Sequence, residues 1–192
     1  NGVQDSNKWG SLELVSAPVI EAGELASISL RYVSGSAGLA PGGYIEIDTD
    51  SDWAWPQTQN PSADGYLKVV APEGRAVSVH TPDHKSMIIA LQSGEMQQGE
   101  SIDIILGDRR GGGGGLRSQT FYDPRRNFLC EVYPTGGGTH GAATKATLEI
   151  TGGNIDSLSA IAPSDIELGS PFALQLKAND RWGNPAQKYS DK

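Results

Sequence analysis

The sequence predicts an all-β fold, an Ig-like antiparallel β-sandwich, and three observations carry that expectation. Apolar residues recur at every second position along most of the chain. Turn formers are abundant, with 25 Gly and 11 Pro among 192 residues; Gly supplies positive φ and Pro pre-sets φ near about −65°. No comparable segment shows a helical apolar period closed by caps, so no helix is expected.

Taken in order, residues 25–33 place Ile28, Leu30 and Tyr32 on one face and Ser27, Ser29 and Arg31 on the other. Residues 44–47 read as the next strand. Val77 and Val79 then alternate with Ser78 and His80. Met87, Ile89 and Leu91 share a face, as do Ile102, Ile104 and Leu106. Phe128, Cys130 and Val132 repeat the pattern, followed by Ala146, Leu148 and Ile150, and by Phe172, Leu174 and Leu176. Turn clusters separate them: Ala40-Pro41-Gly42-Gly43, Pro72-Glu73-Gly74 and Pro134-Thr135-Gly136-Gly137-Gly138. Short strands between such turns need two packed sheets, each hiding one apolar face. A boundary is expected near Thr151-Gly152-Gly153-Asn154, giving a sandwich over 1–153. Residues 154–192 then hold a linker and two strands, too few for a core of their own. They are the beginning of a truncated second Ig-like domain, or extra strands docked on the first.

The formal net charge is −8. An acidic surface repels phosphate backbones and anionic headgroups, so nucleic acid is not an expected partner. No stretch approaches the roughly 18 apolar residues of a membrane span, so membrane insertion is not expected either. Asn1-Gly2-Val3-Gln4-Asp5 lacks the pattern of a signal peptide, which suits a mature form or an internal piece. Extracytoplasmic placement is the expectation attached to the Ig-like class. Cys130 is the single cysteine, which rules out an internal disulfide, and its place between Phe128 and Val132 reads as a core thiol.

Four blocks of sequence carry a family likeness. They are Ala22-Gly23 leading to Gly38-Leu39-Ala40-Pro41-Gly42-Gly43; Ser51-Asp52-Trp53 with Pro56-Gln57, Asn60-Pro61 and Gly65-Tyr66; Gly107-Asp108-Arg109 with its glycine run and Leu116-Arg117-Ser118-Gln119-Thr120-Phe121; and Ala162-Pro163-Ser164 through Asp180-Arg181-Trp182-Gly183-Asn184-Pro185. In this order the chain resembles the N-terminal region of the bacterial domain-of-unknown-function family 3604. The resemblance implies that a metal-dependent hydrolase-like domain, similar to the polymerase-and-histidinol-phosphatase superfamily, follows further along. That superfamily needs His-x-His, whereas this chain has only His80, His84 and His140. The resemblance therefore implies a piece without the catalytic part. The closing block also resembles the Asp-x-x-Gly-Asn-Pro turn of bacterial Ig-like repeats.

Three segments can carry chemistry. Asp48, Asp50 and Asp52 offer carboxylates at alternate positions, either a Ca2+ loop or a solvated strand end. Trp53, Trp55 and Tyr66 with Gln57 read as a platform for a sugar ring, or as rings that cap the sandwich. Arg109 and Arg117 flank the run Gly111 to Gly115, an anion cradle or a glycine-rich connection with surface arginines. Pro82 argues against a helix that would join His80 to His84. There is no Gly-x-Ser-x-Gly elbow and no P-loop Gly-Lys-Ser/Thr. The expected function is a non-catalytic accessory β-sandwich that positions or shields a downstream hydrolase-like domain, with no cofactor. The alternative is a carbohydrate-binding module, with or without Ca2+. A stand-alone hydrolase needs a pocket that joins a carboxylate to one of the histidines.

Overall fold

The computed structural model describes residues 8–49, 53–83 and 85–187. Its strands are β1 (Ser11–Leu14), β2 (Val19–Glu21), β3 (Leu25–Ala26), β4 (Ile28–Val33), β5 (Tyr44–Asp48), β6 (Leu67–Val70), β7 (Ala76–His80) and β8 (Ser86–Ser93). They continue as β9 (Ser101–Leu106), β10 (Leu116–Arg117), β11 (Asp123–Tyr133), β12 (Gly141–Ala142), β13 (Ala146–Thr151), β14 (Ser157–Ile161) and β15 (Gln175–Asn179). The described residues hold no helix, and so none long and apolar enough to cross a membrane.

One sheet has the order β1-β4-β9-β6 and is antiparallel throughout. The facing sheet runs β2-β13-β11-β5-β8-β7, with β12 also on β11. Alternation decides which side chains meet. Ile28, Leu30 and Tyr32 lie opposite Leu106, Ile104 and Ile102 across the first sheet. Ile45, Ile47, Met87, Ile89, Leu91, Phe128, Cys130, Val132, Leu148 and Ile150 line the second. All are at most 2% exposed, and burying one such large aliphatic or aromatic side chain contributes about 1.5–3 kcal/mol. The chain is thus an all-β sandwich with one shared core.

The antiparallel expectation fails at one edge. After β1 the chain passes Pro18, which has no N–H to give a ladder. It then joins the second sheet as β2, parallel to β13 with Glu149 opposite Val19. The chain between β1 and β2 therefore links an edge strand of one sheet to an edge strand of the other.

Strands β14 and β15 stand apart as a two-stranded antiparallel ribbon, bonded to each other and to neither sheet. Leu158 faces Ala178 and Ala160 faces Leu176, so these four share a side of the ribbon. Leu158 and Leu176 are each 67% exposed.

Candidate functional site

The sugar-platform expectation breaks at Trp53. Its ring is 5% exposed and lies 6.0 Å from the ring of Phe128, tilted by 54°. A large apolar ring at the open end of a sandwich is most stable covering the core, and Trp53 does this. Trp55, two residues on, is 55% exposed. Gln57 is not free to greet a ligand. Its Nε2 donates to the carbonyls of Asn60 (2.8 Å) and Asp64 (3.4 Å), and its Oε1 accepts from the N–H groups of Gln59 and Asn60. It pins the loop that ends at Tyr66, a half-buried residue bridged to Gln57.

The arginines of the glycine-rich segment are also engaged. Arg109 donates through Nη2 to the carbonyl of Leu25, and Arg117 through Nη1 to the carbonyl of Gly23 at 2.8 Å. Arg110 holds the buried Asp108 at 2.7 Å, and the Arg110 guanidinium keeps that carboxyl below the usual carboxylate range. Gly114 donates its N–H to Asp64 Oδ1 at 2.6 Å, and Gly65 its N–H to the carbonyl of Gly115 at 2.8 Å. These contacts tie 107–117 to the β3 segment and to the 57–65 loop, so the anion-cradle reading gives way to a brace. Arg126 is buried, 3.5 Å from Asp123, and its Nε and Nη2 have no partner among the described residues.

Asp48 closes β5 opposite Leu129 and Ser86, a half-buried strand end. Asp50, Asp52 and His84 lie outside the described residues. Among the described residues no group of three or more His, Cys, Asp or Glu side chains gathers to hold a metal. His80 is exposed on β7, the edge strand of its sheet. Burial pushes the Cys130 thiol up to about 12, so it stays protonated at neutral pH.

Two arrangements were not legible beforehand. Tyr44, Tyr133 and His140 stack face to face on the outer side of the second sheet, with centroids 4.3 Å and 4.8 Å apart. The Tyr133 hydroxyl donates to Glu131 at 2.8 Å, which pushes the phenol up to about 12. Alternation places Tyr44 and Tyr133 on solvent faces, but only the register that sets them opposite one another makes the stack. The other is a cavity of ≈ 380 Å³ where the ribbon meets the sandwich, lined by Glu21, Glu24, Asp156, Asp180, Arg181 and Trp182 among others. Its residues come from segments about 160 positions apart in a chain of 192, which no local pattern brings together.

No family model and no curated protein matches the chain. Among solved structures it is similar to the non-cellulosomal cohesin from the hyperthermophilic archaeon Archaeoglobus fulgidus, at 13% identity and a TM-score of 0.35. That likeness covers 74% of this chain and 91% of the cohesin. It is also similar to AvmM, which catalyses macrocyclization in alchivemycin A biosynthesis, at 14% identity and a TM-score of 0.36. Here 79% of this chain and 93% of AvmM are covered. Likeness at this level leaves the function open.

Proposed function

We propose that this chain is a non-catalytic accessory module, a sandwich that positions or shields a downstream hydrolase-like domain of the same polypeptide. The observation that carries the reading is the apolar side of the ribbon. Leu158 and Leu176 lie on it, and Phe172 and Leu174 lead into β15; all four are between 52% and 67% exposed. A two-stranded ribbon is marginal alone in water, and an apolar patch of this kind marks a contact surface. The family resemblance supplies the occupant, the continuing polypeptide. The arginines and glutamine that looked free for a ligand are consumed in bracing loops, which also favours a scaffold.

Hydrogen exchange tests this reading on the 192-residue chain and on a longer polypeptide carrying the downstream domain. The β14 and β15 amides are expected to exchange fast in the first and to become protected in the second. Equal exchange in both sinks the proposal, as does metal-dependent phosphate-ester hydrolysis by the shorter chain itself.

A carbohydrate-binding module is the second reading, and the exposed Trp55 ring favours it. On this reading soluble polysaccharide changes the tryptophan fluorescence saturably. Trp55→Ala abolishes the change, while Trp53 contributes only through the fold. A chain silent to every glycan tried leaves Trp55 a surface residue.

A further inference from the structure

Thr151-Gly152-Gly153-Asn154 reads as a domain boundary in the sequence, and the fold ties it closely to the turn after β15. Gly152 is buried, with no room for a side chain. A Cβ there would lie 2.0 Å from the carbonyl oxygen of Pro185. The turn after β15 makes the stitches. Asp180 is 3% exposed, and its carboxylate accepts four hydrogen bonds. Its Oδ1 takes the N–H groups of Trp182 (2.9 Å) and Asn184 (2.8 Å). Its Oδ2 takes the N–H of Gly153 (3.1 Å) and the side-chain amide of Asn184 (3.0 Å).

That ordered turn reaches the sandwich at separate points. Asn184 donates through Nδ2 to the carbonyl of Thr120 at 2.9 Å and accepts the N–H of Tyr122 at 2.8 Å. Trp182 donates its indole N–H to the carbonyl of Ala22 at 3.1 Å. Its ring lies over Gly23, where a Cβ would come within 2.6 Å of the indole nitrogen. With Gly153 the contacts fall after β2, between β10 and β11, and after β13. A body held at three separate segments cannot swing freely without breaking one of these contacts, and buried polar groups left unpartnered oppose the break.

From this geometry we propose that residues 180–185 form a latch that fixes the angle at which the ribbon leaves the sandwich. Whatever the ribbon carries is then held in one orientation instead of swinging on a glycine tether. The latch does not depend on the accessory reading, but it explains how such a module positions a neighbour. It is also sensitive to acid. Burial pushes the Asp180 carboxyl up, but the hydrogen bonds from Asn184, Gly153 and Trp182 together hold it below the usual carboxylate range. A depressed value means the stabilisation is present above the ordinary value of about 3.9 and is lost as pH falls through the depressed one. Glu21, Glu24, Asp156 and Arg181 are the other charged side chains that line the same cavity.

Pulsed electron-spin distance measurement between labels at Gln92→Cys and Lys177→Cys reads the joint directly. Both sites are exposed, and the native Cys130 is 2% exposed and stays unlabelled. A single narrow distance peak is expected in the labelled parent at neutral pH. Asn184→Ala is expected to lose that peak to a broad distribution, with the far-UV circular dichroism unchanged. Should Asn184→Ala not fold, Trp182→Phe carries the same expectation, since it keeps an aromatic ring but removes the bond to Ala22. A broad distribution in the parent overturns the latch, and so do peaks in the folded variants as narrow as the parent's. The distance reads the joint alone, so the latch can fail while the accessory reading stands, and the reverse.

Discussion

Phe128→Ala is expected to destabilise the sandwich by about 3–5 kcal/mol, a fall in Tm of roughly 6–20 °C for a chain of this size. Phe128 is 0% exposed and sits on β11, the central strand that pairs with β5, β12 and β13. Its ring meets Trp53 at 6.0 Å, so truncation removes the partner that lets Trp53 close the end of the core. Phe128 ends the β13 ladder opposite Ala146, and the β5 ladder begins at the next residue, Leu129 opposite Asp48. This limits how far the cavity can collapse, and partial collapse is what sets the cost. The neighbour Leu129 points outward and is 41% exposed. Leu129→Ala therefore changes stability by no more than about 0.5 kcal/mol. Urea unfolding of both variants checks the pair. Equal costs mean that the inward and outward faces of β11 are assigned wrongly.

Gly107→Ala is the second large effect, an expected loss of about 2–5 kcal/mol. The residue directly follows β9 at φ +70°, a left-handed conformation that costs an L side chain roughly 1–2 kcal/mol. The added Cβ would also lie 2.2 Å from the amide nitrogen of Leu116 and 2.5 Å from the carbonyl oxygen of Ala26. Those atoms are the backbone of β10 and β3, which pair there, so they cannot yield as a flexible side chain does. Overpacking of this kind adds about 1–3 kcal/mol. Gly137→Ala is the control. Its Cβ meets nothing within 4 Å, and its φ is not in the left-handed region, so unfolding should be unchanged. If Gly107→Ala unfolds as late as Gly137→Ala, β9 does not pass the β3–β10 ribbon as closely as described.

The sandwich was largely legible because its signal is local. A strand hides every second residue, so Ile28, Leu30 and Tyr32, or Phe128, Cys130 and Val132, announce the buried face without reference to any partner. The candidate site was much less legible. Trp53 and Trp55 are equivalent to a reader of the sequence, both in a polar loop and two positions apart. One is 5% exposed and the other 55%, because only the first comes to lie against Phe128. Arg109, Arg117 and Gln57 likewise carry donors that suit an anion or a sugar, and the fold spends those donors on its own carbonyls. A donor's chemistry is visible in the residue name; whether it is free depends on which backbone passes within about 3 Å.

The same division holds at the joint. Composition and alternation by themselves determined an all-β chain of acidic charge, with most period-two runs found as strands. Of the run Phe172, Leu174 and Leu176 only the last lies in a strand, and the pairing of β14 with β15 was not foreseen. Tertiary structure alone decided that β2 runs parallel to β13, that Tyr44, Tyr133 and His140 stack, and that Asp180 and Asn184 fasten the ribbon to the sandwich. The physical reason is range. Periodicity and turn propensity act over a few residues, whereas register, stacking and a hydrogen bond between Asn184 and Thr120 join groups whose separation in sequence carries no local pattern.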